Sequence, residues 1–414
     1  MNILFVHEVD WLTKVVFDIH TLAESLSLLG HQVYAIDYEN AWRRNRPFDL
    51  GTLKTREFNG VSRAFADAPV SLRRPGLIKL SGLSRVSAAF THYLEIKRTI
   101  RQKKIDAIVL YSVATNGWQV LDIARKLSVP VIFRSIDILN QLVPYPYLRP
   151  ATRLLERMVY TRADMILTLT PSLSRYVARL GAQGQRIKLL PMPVDTRIFY
   201  PYPAPAELRR RWNIAKEDKV ILYIGTLFHF SGLDLVIRHF PEVVRQVPEA
   251  RFLIVGDGPQ RQKLEGIIGE LGLEDRVVIT GFEPYSTMPD YINLSTICLN
   301  PFLITGATRE IFPGKIVQYL ACAKAVLATP LPGLVAVTPG EEQGLAFAGS
   351  PEEMAEKLVK LLREPEYRQR LESNGLDYVR KVHGCENIAA DLEARLEEAI
   401  NEKRMATSPE GVSG

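Results

Sequence analysis

The chain has 414 residues, 47% hydrophobic and 24% charged, an ordinary globular composition whose length predicts two or three domains. Its net charge of +6 is unevenly spread: residues 1–200 carry 28 Lys/Arg against 16 Asp/Glu, a net of +12, and residues 201–414 carry 24 against 30. No apolar run reaches the ~18 residues that span a bilayer. Met1 leads straight into apolar Asn2–Val6 without a basic leader, and three scattered cysteines (Cys298, Cys322, Cys385) offer no disulfide framework or zinc site, so a cytoplasmic setting is expected.

Short β-branched runs alternate with helical stretches along the first half. Asn2–Val6 reads as a buried strand, Phe17–Leu29 as an amphipathic helix stopped by Gly30, and Val33–Ile36 as the next strand. Strand-like runs recur at Ala107–Tyr111, Val131–Arg134, Met165–Thr170 and Ile187–Leu190, with a helix at Gly117–Leu127. This rhythm predicts a parallel sheet covered on both faces. Prolines from Pro193 to Pro205 cannot lie in a regular element and suggest a linker over 199–218. The rhythm restarts at Lys219–Ile224 and continues through Arg251–Val255, Arg276–Ile279, Ile297–Asn300 and Ala325–Ala328. The expectation is an α/β protein with two doubly wound, Rossmann-like parallel-sheet domains, 1–198 and 219–384. A C-terminal helix over 385–404 would pack back on the first domain, ahead of a disordered tail, 405–414. Ligands of such sheets bind beyond the carboxyl ends of the strands, so the cleft between the domains is the natural site.

Three loops at strand ends carry candidate chemistry. After Lys219–Ile224 come Gly225, Thr226, Ser231 and Gly232; Ser231 with Asp234 resembles a capping box, and a helix start suits phosphate. A plain strand–helix turn would look the same. After Arg251–Val255 come Gly256 and Gly258, with Pro259 suited to a helix's first turn, but the full G-x-G-x-x-G fingerprint of a dinucleotide site is missing. The third loop follows Ile297–Asn300 and holds Arg309, Glu310 and Lys315 before a helix starting near Pro313. Cations in a first turn oppose the helix dipole, so an anion held between Arg309, Lys315 and the helix start would explain them; a solvated charged loop is the alternative. No D-x-D pair, P-loop, G-x-S-x-G elbow or H-E-x-x-H motif occurs, and no metal site is expected.

These pieces, in this order, resemble a retaining glycosyltransferase of the GT-B fold, family-4-like. The resemblance covers nearly the whole chain and is densest from Thr161 to Gly349. It rests on Ala163-Asp164, Leu190–Pro201 with Asp195 and Phe199, Tyr223–Ile237, Leu253–Glu265, Arg276–Gly281 followed by Phe282, and Glu310 with Gln318 at the spacing of the family's paired acids. It implies transfer of a sugar from a nucleotide sugar, UDP- or GDP-linked, to an acceptor hydroxyl of a glycan or lipid-linked substrate, with retention and without a metal or other cofactor. The second domain would hold the donor and the first the acceptor. The family's Arg and Lys in the first donor loop are replaced by Thr226 and Ser231, and its second acid by Gln318, so Arg309 and Lys315 become the candidate diphosphate ligands and Glu310 the group orienting the donor sugar. Asp195 and Phe199 read as hinge and packing residues. In the first domain the family's glycine pair and histidine are absent; His7 and Asp137 are the candidates to contact the reacting sugar or acceptor.

Residues 68–104 hold nine Lys/Arg and one acid, Glu95, interleaved with Leu72, Leu77, Leu83, Val86 and Phe90; Arg43, Arg44 and Arg46 beside Trp42 add to them. Such sequence suits an anionic membrane surface or an anionic acceptor, with Arg73, Arg74, Lys79 and Arg85 as the contacts, and disfavours nucleic acid for want of aromatics. A peripheral position on the inner membrane face follows as an expectation. An epimerase or hydrolase on the same fold, and a non-catalytic binding or scaffold protein, are the rival readings.

Overall fold

The computed structural model describes residues 1–39, 49–80, 83–143 and 145–407. The chain divides into two compact units, Met1–Pro191 with Cys385–Gly414, and Met192–Gly384.

Among the described residues, the first unit's sheet contains β1 (Asn2–Val6), β2 (Gln32–Ile36), β3 (Arg56–Val61), β4 (Val70–Arg74), β5 (Ala107–Leu110), β6 (Val131–Ser135), β7 (Met165–Thr168) and β8 (Ile187–Leu189). Their order is β3-β4-β2-β1-β5-β6-β7-β8. All neighbours are parallel except β3, which runs antiparallel to β4 along the edge. The central strands are apolar throughout because both their faces are covered. On one face Ile3, Phe5 and Val109 meet Ile19, Leu22 and Leu26 of the helix Asp18–Leu28 and Ile388, Leu392 and Leu396 of the helix Cys385–Thr407. The last helix is also pinned by polar contacts. His31 meets Glu393 at 2.7 Å and Lys403 meets Asp164 at 2.8 Å. It runs on through Met405 and Ala406 to Thr407, so those three residues are helical rather than part of a disordered tail; 408–414 lie outside the described residues.

The second unit's sheet has the order β11-β10-β9-β12-β13-β14, from β9 (Lys219–Ile224), β10 (Ala250–Val255), β11 (Val277–Gly281), β12 (Ile297–Asn300), β13 (Ala325–Ala328) and β14 (Leu345–Phe347), all parallel. The proline-rich stretch is not a free linker. Residues 192–218 belong to this unit: Phe199 is buried, Tyr202 donates to Asp290 at 2.7 Å, Ala206–Arg211 is helical, and Trp212 donates to the Tyr291 hydroxyl at 2.9 Å. The unit's first and last residues are joined. The Val194 N–H donates to the His383 carbonyl, and His383 Nδ1 lies 2.8 Å from the Met192 carbonyl oxygen with its ring stacked on Phe312.

Candidate functional site

The second unit gathers its glycine loops beyond the carboxyl ends of β9, β10 and β11. Gly225 ends β9 at φ 146° and Gly256 ends β10 at φ 152°; a Cβ on Gly256 would stand 2.0 Å from the Gly225 carbonyl oxygen. A Cβ on Gly258 would lie 2.7 Å from the Leu227 nitrogen, and Gly256 bridges Gly281. Gly256 and Gly258 are thus required by backbone-on-backbone packing, which side chains would prevent, while Gly225 and Gly281 hold positive φ against the ends of Lys315 and Arg261. Thr226 is exposed on this layer, and Phe282, beyond Gly281, is exposed as well.

Ser231 does not cap the following helix. It ends a 3-10 turn, its N–H given to the Phe228 carbonyl, and the cap of the helix Leu233–Gln246 is Gly232 at φ 69°. A Cβ there would meet the Pro301 carbonyl oxygen at 2.0 Å, so the close approach of the β12 loop selects glycine. Asp234 is turned to Lys263 at 2.7 Å instead of completing a capping box. Pro259 stays in the turn ahead of its helix, which starts at Arg261.

Lys315 is the first residue of the seven-residue helix Lys315–Ala321. Its ammonium avoids the unfavourable dipole by folding onto aromatic faces, 4.0 Å from the Tyr223 ring centre and 4.6 Å from that of Phe302. It reaches Gly225, where a Cβ would lie 2.7 Å from Nζ. Among the described residues no carboxylate pairs with it. Burial without a counter-charge lowers its pKa to about 7. The aromatic clamp of Tyr223 and Phe302 was missed by sequence reasoning, although both rings flank strand ends that it had marked.

One turn further on, Gln318 donates to the Tyr285 hydroxyl at 3.3 Å, which links this helix to the loop after β11. Arg309 and Glu310 lie on a turn built by Thr305 and Thr308, whose hydroxyls and N–H groups bond reciprocally. The turn packs on Gly333, where a Cβ would lie 2.3 Å from the Glu310 carbonyl. The structure therefore brings Gly225, Gly256, Gly258, Gly281 and Lys315 together. The exposed Arg309 side chain makes no hydrogen bond or ion pair to them.

In the first unit, His7 follows β1 with its ring 5.6 Å from both Phe17 and Tyr111. Desolvation, aided by His20 and Lys14, lowers its pKa to about 3, so at neutral pH it is a neutral hydrogen-bonding group. Asp137 follows β6; desolvation, then the nearby Asp18 carboxylate, raise its pKa to about 6 against the pull of Lys14. Beneath them lies a network with no local sequence signal. Arg134, fully buried, donates to Asp18 at 2.8 Å and to the Leu190 carbonyl at 2.6 Å, while the Tyr111 hydroxyl donates to Asp18 at 2.6 Å.

The expected basic contact surface is largely internal. Arg73 is buried between Glu57 at 2.9 Å and Glu95 at 2.7 Å. Arg74 is buried against Asp37 and Asp10, and Lys79 against Asp49 at 2.6 Å and Glu39 at 3.1 Å. These cations cannot meet a membrane or acceptor because β4 and the turn after it direct them inward, where acids neutralise them. Arg85 is exposed and donates to the Thr115 hydroxyl at 3.3 Å. Arg43, Arg44, Arg46 and Trp42 lie outside the described residues. Among the described residues no helix is long and apolar enough to cross a membrane.

Two family models match the chain: "Glycosyl transferase 4-like domain" over residues 16–193 and "Glycosyl transferases group 1" over residues 205–377. A 2-deoxystreptamine glucosyltransferase of Streptomyces kanamyceticus is 31% identical over 52% of this chain and 56% of its own length. A GDP-mannose-dependent alpha-(1-6)-phosphatidylinositol monomannoside mannosyltransferase of Mycobacterium tuberculosis is 25% identical over 79% of this chain and 73% of its own. The chain spans about half the length of the first curated relatives it matches. A sucrose-phosphate synthase structure from Thermosynechococcus elongatus shares the fold, with TM-score 0.74 and 18% identity over 97% of this chain and 99% of that one.

Proposed function

The chain belongs to the group 1, 4-like glycosyltransferases of GT-B fold, and from that membership we propose that it moves a sugar from a nucleotide sugar to an acceptor hydroxyl, with retention and without a dissociable metal. In this reading the bond between the anomeric carbon and the diphosphate oxygen breaks, the acceptor oxygen bonds to that carbon, and the hydroxyl proton leaves on the departing diphosphate. The observation that carries the reading is Lys315. A half-buried ammonium with no carboxylate beside it among the described residues, seated where three glycine loops converge, is suited to receive a diphosphate. A preorganised cation stabilises the charge that grows on the leaving group, the role a metal ion fills elsewhere.

Around it, Gly225, Thr226, Gly256, Gly258, Gly281 and Phe282 would line the nucleotide, with Ser231, Gly232 and Arg309 at the phosphates. Gln318 would accept from the ribose through its amide oxygen, and Glu310 would orient the donor-sugar hydroxyls. Asp137 and neutral His7 are assigned to the acceptor or reacting sugar. Relatives whose names specify GDP-mannose and phosphatidylinositol substrates support a nucleotide-sugar donor and a lipid-linked acceptor, hence a peripheral place on the membrane.

The test combines a melting-temperature screen against UDP-, GDP- and ADP-sugars with assay of Glu310→Ala. A true donor stabilises the fold by mass action, and the variant is expected to keep donor binding and melting while losing at least ~100-fold in transfer. Chelator should leave the rate unchanged. Full activity in the variant would remove Glu310 from the site, and no stabilisation by any nucleotide sugar would favour the non-catalytic binding protein.

A further inference from the structure

The helix Leu83–Gln102 of the first unit is buried on one side and carries an apolar line on the opposite, exposed side. Its packed side buries Ala88, His92, Glu95, Ile96 and Thr99. On the other side Leu83 is 50% exposed, Val86 67%, Phe90 62% and Leu94 50%. Their spacing of three, four and four residues sets them in one line, roughly 16 Å long at 1.5 Å per residue. Lys97 and Arg101 extend the same line, so the ridge is apolar for three turns and basic at its end. The helix's single acid, Glu95, is turned inward to Arg73. Glu95 also lies 3.9 Å from Arg98, and among the described residues no acid pairs with Lys97 or Arg101.

The neighbouring helices continue the pattern. Gly117–Lys126 packs alongside and exposes Trp118, stacked 6.2 Å from Tyr93. Arg149–Arg162 packs on that helix and exposes Leu154 between Arg153 and Arg157. A solvent-facing helix ordinarily keeps its outer side polar, and an apolar line rimmed by cations has the makeup of an interfacial helix.

We infer that this ridge is the face by which the first unit lies on an anionic bilayer: Leu83, Val86, Phe90 and Leu94 enter the acyl boundary while Lys97 and Arg101 sit at lipid phosphates. The occupant follows from charge. A second copy of the chain would present the same cations and no acid on this ridge to meet them, whereas anionic lipid supplies both an apolar layer and negative charge. The inference gives a surface to the peripheral placement proposed above, and it replaces the inward-facing Arg73, Arg74 and Lys79 as membrane contacts.

The experiment is flotation of the full chain with phosphatidylcholine vesicles, with and without phosphatidylglycerol, at low and high salt. The chain is expected to float with the anionic vesicles, less so at high salt, and not with the neutral ones. Phe90→Ser with Leu94→Ser should lower partitioning at least ~10-fold. Lys97→Gln with Arg101→Gln should lower it roughly 25-fold and flatten its salt dependence, at about fivefold per cation near the surface. Phe90, Leu94 and Arg101 are exposed and Lys97 is half-buried on the outer side, so both variants should keep the wild-type melting temperature. Absence of flotation, or flotation unchanged in both variants, overturns the inference. So does sedimentation showing a wild-type dimer that the serine variant dissociates, since a second copy would then cover the ridge. Flotation needs no transfer activity, so a failed donor screen would sink the transferase reading and leave this one standing.

Discussion

Replacing Lys315 with Met separates the two things that this side chain does. In the fold its pKa falls from 10.5 to about 7. Such a shift corresponds to 4–5 kcal/mol, at about 1.4 kcal/mol per unit. The faces of Tyr223 and Phe302 return about 1 kcal/mol each to the charged form, which leaves a net strain of roughly 2–3 kcal/mol on it and moves its titration part of the way back toward 10.5. From that titration up to 10.5 the unfolded chain holds a proton that the folded chain has released, so this group's contribution to stability rises with pH across that window. Methionine fills similar volume between the same rings and carries no charge. Lys315→Met is therefore expected to be more stable than wild type at pH 6, by about 2 kcal/mol and some 4–8 °C in melting temperature, with the advantage fading by pH 10. The same variant should bind nucleoside diphosphate at least ~10-fold more weakly. The assays are urea denaturation at pH 6, 8 and 10, and calorimetry with UDP and GDP. A variant less stable than wild type at pH 6, or one that binds diphosphate as wild type does, would refute the reasoning.

Four further outcomes are open to measurement. Gln318→Glu supplies a charged acceptor to ribose hydroxyls and should tighten donor binding about tenfold by calorimetry; unchanged binding would move Gln318 off the ribose. Gly232→Ala forces a left-handed backbone and a clash with the Pro301 carbonyl oxygen, and should cost at least about 2 kcal/mol in urea unfolding. Arg134→Met strands the buried Asp18 carboxylate, for a loss of about 3–5 kcal/mol, and adding Asp18→Asn should recover part of it; equal losses in the single and double variants would argue against the pairing. Asp137 is protonated in the fold up to about pH 6, above its ordinary value. Its own contribution to stability therefore falls as pH rises from about 4 to 6. Asp137→Asn should remove that contribution, read as the difference in melting temperature between variant and wild type across this range, and also remove the limb near pH 6 from the transfer profile.

The parallel strands were legible because burial on both faces leaves them nearly continuous runs of Val, Ile and Leu, as in Val220–Tyr223. The edge pair β3 and β4 was not: Arg56, Glu57, Arg73 and Arg74 interrupt the apolar pattern, and the cations looked like surface charge. The acid partners of Arg73 and Arg74 stand at residues 10, 37, 57 and 95 and that of Arg56 at 39, and nothing in a local window distinguishes a paired arginine from a solvated one. The glycines of the donor loops were found for their permissiveness, but Gly232, Gly256 and Gly258 are needed because the backbone of another loop lies against them. Ser231 fitted the composition of a helix cap, and tertiary packing at Pro301 moved the cap to its neighbour. Lys315 was marked by its misfit with the helix dipole, while its aromatic clamp is assembled from Tyr223 and Phe302, 79 positions apart along the chain.

The return of the helix Cys385–Thr407 to the first unit has a consequence for how the protein is made. Ile388, Leu392 and Leu396 complete a core whose other half was synthesised nearly 400 residues earlier, at Ile3 and Phe5. The second unit is one uninterrupted segment and can fold as it leaves the ribosome. The first emerges earlier, yet it carries an open apolar face until the helix Cys385–Thr407 has been made. A chain cut before residue 385 would lose the lid of the first unit's core while keeping the whole of the second, and expression of residues 1–191 alone would put that uncovered face into solution.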